Sequence, residues 1–298
     1  MKNQKIITIL VLCCVLAAAV SASTALISLI TSEKGGEYEF ISLHGEKVLI
    51  FGRSLYGNNS VAMVAQGAPH DLVMLVLVIP LLLLSLYLAR RGSLKGRLLM
   101  SGILGFVAFT YLLYLTLPMY NRLYLLWIIA ASTSFFALIL TLLGFDLEKV
   151  KNSFTDKLPV KVVGGFIIFQ ATMVALLWLQ RLLPSFLNGS VPVGMEHYTT
   201  LPVQGLDLAF PLPLSIVAGV LLIMKKPVGY LLASAYTGFL TVLMPTLTGK
   251  IIGMMFIGVN PGPPLVIMPT FALISVILLI IVFKDIDKKQ KLRQSAIN

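Results

Sequence analysis

Eight long apolar runs constrain the fold of this chain more than any other feature. A helix rises 1.5 Å per residue, so about 20 apolar residues cross a hydrocarbon layer of about 30 Å. Hydrophobic residues make up 58% of the chain and charged residues 12%, whereas a soluble domain has roughly 45–50% and 25%. The sequence therefore predicts an all-α integral membrane protein with eight transmembrane helices, at residues 6–30, 72–88, 98–117, 123–145, 162–183, 208–224, 229–247 and 265–283.

Residues shared at a constant spacing of 133 predict that the chain is an internal duplication. The segment 96–106 (GRLLMSGILGF) returns as 229–239 (GYLLASAYTGF), and Pro80 returns as Pro213 with no gap between the two matches. Both prolines should kink their helices, because proline removes a backbone donor. The repeated Ser and Gly are typical of close helix packing in membranes. An internal repeat constrains the architecture of the whole chain, and a local feature does not.

The repeat divides the chain into two halves, 1–150 and 151–298, with four predicted helices each. An even number of crossings gives both halves the same orientation, which predicts two parallel four-helix repeats. The first half contains a long loop, 31–71, in which the strand-like runs 38–43 and 48–51 flank a short polar turn. We expect a small β-hairpin that packs on the helix ends, because a hairpin alone is marginal in water.

The distribution of basic residues predicts the orientation in the membrane. When the segments between helices are sorted alternately, 17 of the 23 Lys and Arg residues fall on the side of the amino terminus, and Lys250 is among the six on the other side. Cytoplasmic loops carry such an excess. This predicts a cell (inner) membrane protein with both termini cytoplasmic, a basic cytoplasmic tail and an extracytoplasmic hairpin. An alternative is cleavage near residues 20–22, which leaves seven helices and an outer amino terminus.

The net charge is +11, and the predicted orientation places the basic excess on the cytoplasmic face. It favours anionic lipid headgroups on the cytoplasmic face as partners, beside the bilayer itself, and not a nucleic acid. Motifs for phosphate, dinucleotide or zinc binding and for nucleophilic catalysis are missing from the sequence. No cofactor is predicted, and a role other than catalysis is favoured, although an unusual membrane enzyme stays open.

The predicted transmembrane segments carry no ionisable residue at mid-depth. Such residues are costly in hydrocarbon and usually functional, so their absence argues against a proton-coupled antiporter or an ion pump. Gln170 is the only central amide, and its expected role is an interhelical hydrogen bond. Tyr111 and Tyr114 are further polar groups of the third segment. These three residues are candidate ligand contacts.

Ionisable residues gather instead at the predicted outer boundary, at His70, Asp71, Glu196, His197 and Asp207. Asp71 and Asp207 take quasi-equivalent places just before predicted helices, and Asp is a favoured N-cap. The alternative is a site between the halves that binds a small molecule through all five residues. Imidazole and carboxylate also suit a transition metal, for which the candidates are His70, Asp71, His197 and Asp207.

Four runs of the first half carry a resemblance to known sequences. These are GRSLY at 52–56, DLV at 71–73, PLLL at 80–83 and RRGSLKGR at 90–97. They resemble a group of uncharacterised polytopic membrane proteins of bacteria and archaea. The resemblance implies a membrane location and brings no activity with it.

Three functions fit these observations. The first is binding or transport of a small neutral or lipophilic solute, supported by the parallel repeat and the kinked helices. The second is a membrane-embedded enzyme or metalloprotein that acts at the outer leaflet. The third is a non-catalytic sensor or assembly factor whose outer hairpin recognises a partner. The sequence indicates no oligomeric state.

Overall fold

The computed structural model describes residues 3–32 and 35–295, and the side chains of all of these except 287, 288 and 290–295. Lys34 in the first long loop and the extreme termini, for which a cytoplasmic location is predicted, lie outside the described residues. In chain order the elements are α1 (Gln4–Thr31), β1 (Tyr38–Ile41), β2 (Lys47–Ile50), α2 (Val61–Val73), a π-helical turn (Met74–Val78), α3 (Ile79–Arg90), α4 (Leu94–Thr116), α5 (Tyr124–Leu143), α6 (Leu147–Lys151), α7 (Val160–Asn188), α8 (Pro202–Ala209), α9 (Pro211–Ile223), α10 (Pro227–Phe256) and α11 (Pro264–Ser295).

Eight helical stretches within the described residues are long and apolar enough to cross a membrane. They are α1, α2 with α3, α4, α5, α7, α8 with α9, α10, and α11 as far as Ile286. The predicted class, an α-helical multi-pass membrane protein, is therefore confirmed.

The predicted β-hairpin is also confirmed, with slightly shorter strands. β1 and β2 are antiparallel, with Tyr38 opposite Ile50 and Ile41 opposite Lys47. Side chains alternate along β2, where Val48 and Ile50 are buried and their neighbours are exposed. One face of β2 is therefore buried within the protein. We refer to the end of the helical body that carries β1 and β2 as the hairpin end.

Two transmembrane stretches are longer at the hairpin end than the sequence predicted. α2 begins at Val61 and not at residue 72, and α10 continues to Phe256 and not to 247. The predicted boundaries stopped at charged residues, whereas each helix continues through one. Asp71 and Lys250 consequently lie inside helices.

The predicted N-cap roles of the two aspartates are wrong. Ser60 caps α2, since its hydroxyl accepts a hydrogen bond from the amide of Met63 at 3.1 Å. Asp71 lies eleven residues further on, about 16 Å along the helix axis. Asp207 follows the start of α8 at Pro202 by more than one turn. Neither carboxylate satisfies the first amides of its helix.

Prolines interrupt both helices at the predicted places. The π-helical turn Met74–Val78 lies directly before Pro80, which has no N–H to donate in a regular helix. The sixth stretch breaks at Phe210, whose backbone leaves the helical region before Pro211 and Pro213. The second and sixth stretches are therefore built from two helical pieces each.

The centre of the body is a close contact between α4 and α10. Gly102 has no room for a Cβ atom, because the carbonyl oxygen of Ala235 and the amide of Phe239 approach it. Small residues allow such backbone contact between membrane helices. Gly102 and Ala235 are themselves 133 residues apart, so the contact joins two positions related by the spacing in the sequence.

Two helix–helix turns at the end opposite the hairpin have the same pattern of backbone hydrogen bonds. The Gly92 amide donates to the Ala89 carbonyl at 3.0 Å, and the Lys225 amide donates to the Leu222 carbonyl at 2.8 Å. Gly92 and Lys225 both have left-handed backbones, with φ of 85° and 55°. Each pair of corresponding residues is separated by 133 positions.

Candidate functional site

Asp71 is the most enclosed carboxylate of the hairpin end, with 4% of its surface exposed. The Tyr56 hydroxyl, from the segment before α2, donates to Oδ2, and the Tyr114 hydroxyl of α4 donates to Oδ1 at 2.7 Å. Burial and the nearby Asp71 raise the pKa of Tyr56, so this phenol stays protonated and donates. A buried carboxylate needs such donors.

The neighbouring His70 is buried, and both of its ring nitrogens lack a hydrogen-bond partner among the described residues. The ring stacks on Phe106 at 5.9 Å between centroids and meets the edge of Tyr114 at 5.6 Å. Leaving a buried polar group unpaired costs about 1–3 kcal/mol. His70 therefore has polar atoms that no described residue satisfies, which keeps it a candidate ligand contact.

Lys250 faces this region from α10. It interacts electrostatically with Asp207 and, less strongly, with Asp71. The helices bring it there by close packing, because Gly253 of α10 has no room for a Cβ atom beside the carbonyl of Ala65. The Lys250 side chain is half-buried. Among the residues that the structure describes, its ammonium group has no hydrogen bond and no ion pair within 4.0 Å.

Asp207 of α8 completes the group. The indole Nε1 of Trp178 on α7 donates to Asp207 Oδ2 at 2.9 Å. Tyr236 of α10 also lies within electrostatic range of this carboxylate. Asp207 is half-buried, in contrast to Asp71. The interaction of Lys250 with both aspartates joins residues of α2, α8 and α10.

We define the charged cluster as the four ionisable residues together with the three side chains that hydrogen-bond its carboxylates. Its members are His70, Asp71, Asp207, Lys250, Tyr56, Tyr114 and Trp178. The cluster contains two carboxylates and one ammonium group inside transmembrane stretches. The sequence had placed these three residues outside its predicted segments, whereas the structure includes them in stretches long enough to span a membrane. The absence of an ionisable group at mid-depth stays a prediction.

A second group of polar contacts joins the two long loops at the hairpin end. The Ser60 hydroxyl donates to Glu196 Oε2 at 2.5 Å, and the Glu196 amide donates to Glu46 Oε2 at 3.0 Å. His197 Nε2 lies 3.0 Å from the Asn58 carbonyl. We call these contacts the loop junction. Glu196 and His197 thus connect loops and do not face Asp71.

Tyr198 strengthens the loop junction. Its hydroxyl accepts a hydrogen bond from the Ser60 amide at 3.3 Å and lies 3.4 Å from Asn59 Oδ1. Burial raises the pKa of Tyr198 to about 12. The Asn59 side chain in turn donates to the Tyr56 carbonyl at 3.1 Å. The junction therefore supports the segment that carries Tyr56 to the charged cluster.

The structure brings together most, but not all, of the predicted ligand residues. Four of them lie together, because His70, Tyr111 and Tyr114 are neighbours of the Asp71 carboxylate. Asp207 joins them through Lys250. Gln170 is buried on α7 with its Oε1 unpaired, so the predicted hydrogen bond to this oxygen is not formed among the described residues. By the spacing of 133, Asp71 corresponds to Gln204 and not to Asp207.

The predicted metal site lacks support. Among the described residues, no three His, Cys, Asp or Glu side chains are grouped so that they could hold a metal ion. His197 belongs to the loop junction, whereas His70, Asp71 and Asp207 belong to the charged cluster. The oxygens of Asp71 are also occupied by two phenols.

Sequence reasoning missed three members of the cluster. Lys250 was assigned to an outer loop, although the apolar residues continue beyond it to Phe256, and this continuation was the available signal. Trp178 offered a weaker signal, since a buried indole N–H usually finds an acceptor. Tyr56 offered none, because only the folded loop brings its hydroxyl to Asp71, fifteen residues ahead in the chain.

Comparison with protein-family models, with curated proteins and with solved structures found no match to this chain. The class of protein is therefore inferred from the sequence and the structure alone. Eight apolar helices make it a multi-pass membrane protein, and a group of opposite charges, buried at Asp71 and half-buried at Asp207 and Lys250, lies within those helices. The resemblance of the first half to other membrane proteins stays a prediction.

Proposed function

We propose that this membrane protein binds a small polar solute at the charged cluster and exchanges it with the side of the membrane that faces the hairpin. The observation that carries this proposal is Lys250, which lies inside α10 and interacts with carboxylates of two other helices without a direct ion pair. Ionisable residues inside transmembrane helices are rare, and they mark substrate or ion sites.

The solute in this proposal is polar and not lipophilic. The sequence favoured a neutral or lipophilic solute because its predicted segments lacked ionisable residues. A buried charge is costly unless it is paired and hydrogen-bonded. A solute that pairs with Lys250 would lower this cost, whereas a lipophilic molecule would leave it unchanged.

Internal duplication is part of the proposal, with the cluster between the repeats. Binding sites of duplicated carriers commonly lie at the interface of their repeats. The spacing of 133 supports the duplication, because it relates Gly102 to its contact Ala235 and Gly92 to its counterpart Lys225. Asp71 belongs to the first half and Asp207 to the second.

The orientation is proposed from the basic residues. Their excess lies at the end opposite the hairpin, which supports cytoplasmic termini, a cell-membrane location and contact of that end with anionic headgroups. Solute would then reach the cluster from outside the cell.

A thermal-unfolding experiment tests solute binding. The full chain in detergent is screened against acetate, phosphate, methylammonium and glycine, in the wild type and in Lys250→Met. At about 100 times its Kd a ligand stabilises the folded state by about 2.7 kcal/mol, so we expect a clear rise in Tm that Lys250→Met abolishes. Lys161→Met, which removes an exposed lysine of α7, is the matched control. Equal stabilisation of all three proteins would overturn the proposal.

Partner recognition is a second candidate, favoured by the outer face of the hairpin. Ile41 and Leu43 are 66% and 98% exposed on a segment that the orientation places in water. Apolar groups clustered in this way mark interaction surfaces. Replacing both residues with serine should abolish co-purification of a partner while the Tm stays unchanged. Retained co-purification would remove this candidate.

A further inference from the structure

The free donors of the charged cluster define the class of its solute. A neutral imidazole carries one N–H whichever tautomer it adopts, so His70 offers a donor that no described residue accepts. The Lys250 ammonium offers three more, and it interacts electrostatically with His70. Free acceptors are fewer than these donors: both Asp71 oxygens and one Asp207 oxygen receive hydrogen bonds, which leaves the second ring nitrogen of His70 and the other Asp207 oxygen. Unpaired donors next to a cation favour an anion.

Charge balance opposes an anion by itself. With both carboxylates ionised, Lys250 ionised and His70 neutral, the cluster has a net charge of −1. A bound monovalent anion would bring this to −2 in surroundings where uncompensated charge is expensive. One proton taken up with each anion restores the charge that the cluster had before binding.

The neighbouring titratable groups do not change this sum. Tyr56, Tyr111 and Tyr114 surround Asp71, Tyr236 faces Asp207, and Cys14 of α1 lies near Tyr111. All five are neutral in their protonated forms. α7 contributes Trp178, which does not titrate.

Asp207 is the carboxylate that receives the proton. Asp71 has a phenol donor on each oxygen, and donors stabilise a carboxylate in its charged form. Asp207 has one indole donor, and of the two carboxylates it is the one that interacts more strongly with Lys250. An anion bound to Lys250 weakens this interaction, because it neutralises the ammonium charge. Asp207 then takes a proton from a hydronium ion or a buffer acid in the surrounding water: the donor's bond to the proton breaks, an O–H bond to the carboxylate forms, and no other bond changes.

We propose that the charged cluster binds a small anion between His70 and Lys250 and takes up one proton at Asp207 in the same step. The proposal rests on solute binding at the cluster and adds its class, an anion that enters together with a proton. Anion affinity should then rise about tenfold for each unit by which the pH is lowered, as long as Asp207 is ionised in the free protein.

The chain contains its own reporter of this proton. Only two tryptophans occur in it, and Trp178 donates directly to Asp207. In Trp127→Phe, which leaves Trp178 as the single indole, fluorescence is followed from about pH 4 to pH 9, the range in which shifted carboxylates titrate. We expect a single transition that disappears in Asp207→Asn.

Anion binding is then measured on the same protein. Acetate, phosphate and chloride are titrated at several pH values, and the protons taken up are counted with an indicator dye in weakly buffered detergent. We expect one proton per bound anion, and a transition of Trp178 that moves to higher pH when the anion saturates. Lys250→Met should bind no anion, Lys250→Arg should restore binding, and Lys161→Met should resemble the parent.

Each result separates this proposal from the proposed function. Binding of methylammonium alone that depends on Lys250 would keep a solute site and overturn the anion. An anion that binds with the same affinity at every pH would overturn the linked proton. If nothing binds in a manner that depends on Lys250, the proposed function fails as well. A Trp178 transition that persists in Asp207→Asn would show that the proton lies elsewhere and would overturn the assignment.

Discussion

The two carboxylates of the charged cluster are held in different ways. Asp71 is buried, and each of its oxygens accepts a hydrogen bond from a tyrosine of a different segment. Asp207 is half-buried and accepts one hydrogen bond, from Trp178. Donors stabilise the charged form of a carboxylate, whereas burial opposes it, so the two phenols offset the burial of Asp71 and join a loop to α4. Asp207 has fewer restraints and can change its protonation when a neighbouring charge changes.

The largest test of this difference is the loss of each carboxylate. Asp71→Ala leaves two buried phenols without an acceptor, at about 1–3 kcal/mol each, so we expect the free energy of unfolding to fall by about 2–5 kcal/mol. Asp207→Ala should lower it by about 1–2 kcal/mol, because one indole loses its partner. Denaturation in detergent measures both, and the exposed Asp156→Ala is the control. Equal losses at Asp71 and Asp207 would break the comparison.

The donors of Asp71 provide a smaller test. Tyr56→Phe and Tyr114→Phe should each lower the free energy of unfolding by about 1.5–3 kcal/mol, since each removes a hydrogen bond to a charged group. The double variant should deviate from additivity by at least about 0.5 kcal/mol, because both phenols share one carboxylate. Trp178→Phe should cost less, about 1 kcal/mol. Additive effects of the two tyrosines would argue that Asp71 is not a shared anchor.

The overall architecture was predictable because hydrophobic length alone determines it. Eight apolar runs predicted eight helices, and two strand-like runs around a short polar turn predicted the hairpin of β1 and β2. The boundaries of α2 and α10 were not predictable in this way, since Asp71 and Lys250 looked like the ends of apolar runs. Within the protein the two residues interact with each other, which allows both helices to continue.

The sequence predicted several residues of the site from their type, but it did not predict their hydrogen-bond partners. His70, Asp71 and Asp207 were candidates because ionisable groups are uncommon in this chain. Their partners Tyr56 and Trp178 come from a loop and from another helix. No sequence pattern links Tyr56, which lies in a loop, to Asp71, which lies inside the helix that follows it. Such contacts depend on tertiary packing, which also places His197 in the loop junction, apart from His70, Asp71 and Asp207.

The loop junction supports the Asp71 side of the cluster, and alkaline pH should expose this support. Burial raises the pKa of Tyr198 to about 12, whereas an unfolded chain has a tyrosine pKa near 10. The protonated Tyr198 phenol therefore makes its full contribution to the free energy of unfolding below about pH 10. This contribution, roughly 1–2 kcal/mol, is lost as the pH rises towards about 12. Tyr198→Phe should reduce this loss in alkaline unfolding experiments, while the exposed Tyr120→Phe should not. The same alkaline loss in both variants would contradict a structural role for the Tyr198 phenol.

The smallest expected effect on stability belongs to Lys250, although its effect on binding is the largest. Its ammonium group makes no hydrogen bond or ion pair within 4.0 Å among the described residues, so Lys250→Met removes no direct partner from Asp71 or Asp207. The side chain that replaces it is apolar and of similar length, and we expect the free energy of unfolding to change by less than about 1 kcal/mol. A loss as large as that of Asp71→Ala would show that Lys250 is a structural counter-ion of Asp71. A small loss together with abolished solute binding would assign its charge to the ligand and to Asp207.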